Sequence, residues 1–161
     1  MHRVRQFASH VRARVGDEET ALAHRILPAG AVALFDRMPV ADRRHALDVV
    51  RRLLAAGHDD PDLLTAALLH DAAKGHRMRL WHRVAGVLLE GLAPALLRWL
   101  ASEDPRSWRH PFHLYLHHAG LSADLALAAG ASERAAAFIR GAPAAGDVHL
   151  GRALEAADDA S

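Results

Sequence analysis

Thirteen histidines and no cysteine among 161 residues set the chemistry open to this chain. Disulfides, thiolate nucleophiles and Cys-type zinc sites are excluded, which leaves His, Asp and Glu as metal ligands. The signal is concentrated in residues 60–75, DPDLLTAALLHDAAKG, where His70 and Asp71 close an apolar run and Lys74 follows three residues after Asp71. Ionisable groups at the end of so apolar a segment need a reason, because a buried charge must be paired, hydrogen-bonded or metal-bound. Upstream, His45 precedes Val49 by four residues and Leu53 by eight; downstream, Asp158 follows Leu154 by four. Each is placed at or beside an apolar stripe. Two imidazoles and two carboxylates from three helices make a ligand set for one divalent cation, with coordination positions left for water or a phosphate oxygen. Neighbouring helical side chains diverge by about 100°, so His70 and Asp71 can share an ion only across their common edge near the helix end.

The elements that must position these residues read as helical throughout. Apolar periodicity predicts helices over 17–27, 31–38, 41–56 and 63–74, another from Leu80 to about Gly91, and one over 94–100. Asp60 suits an N-cap, Pro61 the first helical position, and Gly75 the stop. From Pro111 to Leu127 the pattern is a long or broken helix, with Gly120 allowing a close crossing or a break. Ser132 caps 133–139, and Val148, Leu150, Ala153, Leu154 and Ala157 mark the last helix. Val4, Phe7, Ala8, Val11 and Val15 oppose Arg3, Arg5, Arg12 and Arg14 in a basic amphipathic first helix, read as a docked domain helix rather than a membrane or nucleic-acid arm. Trp81, Trp99 and Trp108 are read as packing residues. No strand-like alternation occurs. The expectation is an all-α fold in one domain over 1–161, with 1–40 an N-terminal helical extension and about 41–158 the motif-bearing core.

A formal net charge of +1 supplies no general attraction to nucleic acid, so a polymeric nucleic-acid partner is not expected. No apolar run approaches the length that spans a bilayer, and Met1 is not followed by a signal-peptide core; a soluble cytoplasmic protein is expected. His110, His113 and His117, spaced by three and four residues, form a competing cluster. It reads as a Zn²⁺ or Ni²⁺ platform, the rim of a substrate pocket, or solvated histidines.

In its helical setting, the order His45, His70-Asp71, Asp158 resembles the HD superfamily of metal-dependent phosphohydrolases. LLHDAAKG looks like the central motif, and RRHALDVVRRLL at 43–54 resembles the helix carrying the first histidine. LEAADDAS at 154–161 resembles the helix carrying the last aspartate, with Asp158 the closer match and Asp159 the alternative. The resemblance covers about 45–158. It implies a helical bundle whose core holds one divalent transition metal (Mn, Fe, Co, Ni or Zn) on His45, His70, Asp71 and Asp158. The implied activity is hydrolysis of a phosphomonoester or phosphodiester, on a small nucleotide-like metabolite, by metal-activated water. Asp71 would ligate and orient that water, and Lys74 would support the site or contact substrate phosphate. Arg44, His76, His82, His110, His117 and His118 are candidates for substrate or accessory-metal contact. His118 is closest by context to the later histidines of two-metal members, but Ile139-Arg140-Gly141 stand where a further histidine is expected, so one ion is anticipated. The Gly-Tyr-Pro signature of cyclic-dinucleotide hydrolases is absent, and nothing points to alarmones or deoxynucleotides in particular. The alternative is a catalytically weak HD-like metal-containing binding or regulatory protein; either is compatible with an oligomer.

Overall fold

The computed structural model describes residues 15–75, 78 and 80–161. The basic amphipathic segment at the N-terminus, Val15 apart, and His76 lie outside them. Among the described residues the chain forms α1 (Asp17–Ile26), α2 (Ala29–Asp36), α3 (Val40–Ala55), α4 (Pro61–Leu69), α5 (Leu80–Leu92), α6 (Pro94–Leu100), α7 (His110–Ala128), α8 (Glu133–Ile139) and α9 (Val148–Asp159). A single 3₁₀ turn, Ala145–Asp147, leads into α9, and no strand is found among these residues.

The helices gather around α4. Every residue from Leu63 to Leu69 is buried, and a helix apolar on all sides belongs in an interior. Helices α1, α3, α7, α8 and α9 all pack against it. Its start is tied down as anticipated: the Asp60 carboxylate accepts from the backbone N–H groups of Asp62 and Leu63 at 3.0 and 3.1 Å. Arg134 of α8 donates to both Asp60 oxygens at 2.9 and 2.8 Å and to Asp147 at 2.8 and 2.9 Å, joining the start of α4 to α8 and the 3₁₀ turn. Helix α3 lies alongside with Ala46, Leu47, Val49, Val50 and Leu53 buried.

Two expectations are corrected. Helix α4 ends at Leu69 rather than Lys74, and residues 70–75 form a tight turn held by bonds from Ala72 N–H to Leu69 C=O and from Lys74 N–H to Asp71 C=O, both 3.0 Å. The turn is completed by Gly75 at φ +52°, a left-handed conformation that glycine adopts without a Cβ penalty. Trp81, Trp99 and Trp108 are 53%, 65% and 68% exposed and lie outside the core. Trp81 and Trp99 belong to α5 and α6, which pack on each other and on α7 and leave an outer side uncovered.

Helix α7 runs unbroken through Gly120, where an added Cβ would meet nothing within 4 Å. One glycine that does permit a close crossing is Gly30 of α2, whose Cβ would sit 2.5 Å from the Ala129 carbonyl oxygen at the end of α7. Among the described residues no helix is long and apolar enough to cross a membrane.

Candidate metal centre

The packing of α3 and α9 against α4 converges three side chains from distant parts of the chain. His45 Nε2 donates to Asp158 Oδ1 at 2.7 Å, and His70 Nε2 lies 3.5 Å from the same oxygen. The His45 and His70 rings meet edge to face with centroids 5.3 Å apart. One ligand atom from each of His45, His70 and Asp158 lies within 4.8 Å of the others, which makes these three a candidate metal-binding triad. Asp158, rather than Asp159, is therefore the residue that the last helix delivers.

His70 is prepared for this role by its own backbone. As the C-cap of α4 its ring folds back, and Nδ1–H donates to the Ala67 carbonyl at 3.0 Å. A carbonyl can only accept, so Nδ1 carries a proton, and Nε2 is the nitrogen left to take a second proton or to offer its lone pair to a cation. That Nε2 is buried, has no hydrogen-bond partner, and faces carboxylate oxygens of Asp158 at 3.5 Å and Asp71 at 3.6 Å. An acceptor facing two acceptors calls for a positive species between them, a proton or a cation. Burial opposes protonation of the ring, yet the Asp71 and Asp158 carboxylates overcome it and push the His70 pKa up to about 9. Burial likewise disfavours ionised Asp71 and Asp158, but the surrounding imidazoles and Lys74 hold Asp71 well below the usual carboxylate range, and the hydrogen bond from His45 together with the nearby His70 ring does the same for Asp158. The two imidazoles and the carboxylate are donors of the kind that could hold a metal ion. Ligands at about 2.1 Å around a tetrahedral centre stand about 3.4 Å apart, close to the separations at His70 Nε2, whose other nitrogen is fixed by a carbonyl as in many metal-bound histidines.

Asp71 is 2% exposed. Its Oδ1 lies 2.5 Å from Lys74 Nζ, so the carboxylate is shared between the His70 side and the lysine. The tightened turn creates this pair, because side chains three apart are eclipsed in 3₁₀ geometry. Lys74 is thereby held against Asp71. One further contact positions the turn: the Ala73 N–H donates to the fully buried Ser122 Oγ of α7 at 3.0 Å. Sequence reasoning missed Ser122, since nothing at position 122 signals a partner 49 residues away.

The accessory candidates separate. His118 is half-buried near the centre, its Nδ1–H on the Tyr115 carbonyl at 2.9 Å; burial and the Lys74 charge lower its pKa. His110, His113 and His117 stack along another face of α7, with successive ring centroids 5.7 and 4.6 Å apart, and His110 Nδ1–H donates to the Ser102 carbonyl. Burial and the neighbouring His117 lower the His113 pKa. His82 is buried against Phe112 and Trp81. Arg44 pairs with Glu19 at 2.7 Å and with Asp48 at 3.0 Å. A separate cleft of about 320 Å³ between the end of α8 and α9, lined by Phe138, Pro143, Val148 and Leu154, includes none of the triad.

No family model, curated protein or solved structure matches this chain.

Proposed function

We propose that this chain is a metal-dependent phosphohydrolase of the HD type, acting on a phosphomonoester or phosphodiester of a small nucleotide-like metabolite. The observation that carries the reading is the buried, unpartnered Nε2 of His70, its tautomer fixed by Ala67 and its lone pair aimed between two carboxylates beside His45. His45, His70 and Asp158 would hold a divalent transition ion, with Asp71 the fourth donor. Such an ion, when bound, makes water more acidic and neutralises charge on phosphoryl oxygens. The chain's own residues supply the rest. Lys74 pairs with Asp71, directs that carboxylate, and adds a cation at the edge of the site for a phosphate oxygen. His118, whose pKa burial and the Lys74 charge lower, would be the candidate to exchange a proton with a leaving group.

The test is elemental analysis of gently purified protein beside His70→Ala and Asp71→Ala, with circular dichroism to verify folding. Wild type is expected to hold about one equivalent of transition metal and both folded variants to lose it, after which the loaded wild type hydrolyses members of a nucleotide and phosphoester panel. Metal retained in both folded variants would remove the assigned centre. A loaded protein inert across the panel would remove the activity.

A further inference from the structure

Helices α5 and α6 both leave large apolar side chains exposed to solvent. On α5, Trp81, Val84, Leu88 and Leu92 fall at i, i+3, i+7 and i+11, on one side of the helix, with exposures of 53%, 49%, 56% and 83%. The opposite side holds buried His82 and Gly86, the latter against the Tyr115 ring of α7. Leu96 and Trp99 of α6 are 44% and 65% exposed. Together the six side chains leave roughly 700–800 Å² accessible, above the 300–600 Å² typical of a monomer's largest apolar patch and about what one partner contributes to a stable interface.

We infer that this face joins two copies of the chain in a two-fold dimer. Its occupant is indicated by charge. The two helices carry only Arg83, Glu90 and Arg98 as Asp, Glu, Lys or Arg residues. Arg83 pairs with Asp42 of α3 at 2.7 Å, and Glu90 accepts from the Tyr115 hydroxyl at 2.7 Å. Beside α6, Arg109 lies over the Trp99 ring and bonds the Trp99 and Leu100 carbonyls. A helix that settles on anionic lipid needs a row of cations along its polar edge. Here the net charge of the two helices is +1, and two of their three charges are paired to neighbouring helices, Arg83 to α3 and Glu90 to α7. A two-fold contact would bury the same uncharged α5 stripe on both sides. Antiparallel pairing of α5 about its middle sets Trp81 of one copy towards Leu92 of the other along about 16 Å of helix.

The face also reports on itself, because two of the chain's three tryptophans lie on it. Sedimentation equilibrium of the full chain at roughly 50 μM, a concentration suited to a micromolar dimer, is expected to give twice 17.5 kDa. Leu88→Glu should halve that mass with an unchanged circular dichroism spectrum and shift tryptophan emission to the red. Leu125→Glu, an exposed apolar position on α7 outside the stripe, should stay dimeric. A monomeric wild type, or a Leu88→Glu variant that remains dimeric, would overturn the assignment. Wild type that is monomeric in solution but sediments with phosphatidylglycerol vesicles would give the face to a bilayer instead.

Discussion

Replacing Ser122 by alanine tests whether the turn after α4 is held from α7. The hydroxyl is fully buried and accepts from the Ala73 N–H at 3.0 Å, within the six residues that carry His70, Asp71 and Lys74. Serine to alanine removes little volume, so the cavity contribution is small, and the main cost is a backbone donor left without its acceptor. Such a donor costs about 1–3 kcal/mol when buried. Ala73 is only partly buried, so water offsets some of this and about 1–2 kcal/mol is expected. In a chain of this size that lowers Tm by about 2–8 °C. Because the same turn sets the His70 ring and the Asp71 carboxylate, affinity for a transition ion should fall about tenfold, as for other partners that orient ligands. Urea denaturation of metal-free protein gives the first quantity, and competition with a chelator gives the second. A variant within about 0.3 kcal/mol of wild type and with unchanged metal affinity would refute the claim that Ser122 holds the turn.

Two glycines should respond in opposite directions. Gly30→Ala drives a Cβ to 2.5 Å from a backbone oxygen and should cost about 1–3 kcal/mol, whereas Gly120→Ala, with open space in a helix interior, should stabilise by up to about 1 kcal/mol; thermal melts of both variants decide. Burial raises the Asp60 pKa, but Arg134 and the α4 N–H groups more than reverse it and hold the carboxyl below its ordinary 3.8. The contribution of a group lowered in this way is complete above that value and is lost as pH falls through the folded one. Arg134→Ala should therefore destabilise by about 1 kcal/mol at neutral pH, and its difference from wild type should shrink as pH drops below 3.8. A difference independent of pH between 7 and about 2 would show that Asp60 and Arg134 are not coupled.

Local chemistry determines what the sequence makes legible. Apolar residues at helical spacing, Asp60 before Pro61, Ser132 before Glu133 and the glycines beyond helix ends define an all-α chain and most helix boundaries to within a residue or two, because these signals act over one or two turns. The run 63–69 has no polar side, and such a helix has nowhere to go but the centre. The ordered His45, His70, Asp71 and Asp158 could be picked out as a set for the same reason, since each stands beside an apolar stripe. Tertiary structure alone decided the rest. It ended α4 at Leu69, where His70 turns back to Ala67 and Lys74 closes on Asp71. It chose Asp158 over its neighbour by the angle at which α9 lies against α3 and α4, and it brought Ser122 under the turn. It also left Trp81 and Trp99 exposed, because α5 and α6 pack on each other and on α7 and leave an outer side uncovered among the described residues. Contacts between residues 49 or 113 positions apart depend on how whole helices cross, and no periodicity within one helix records that angle.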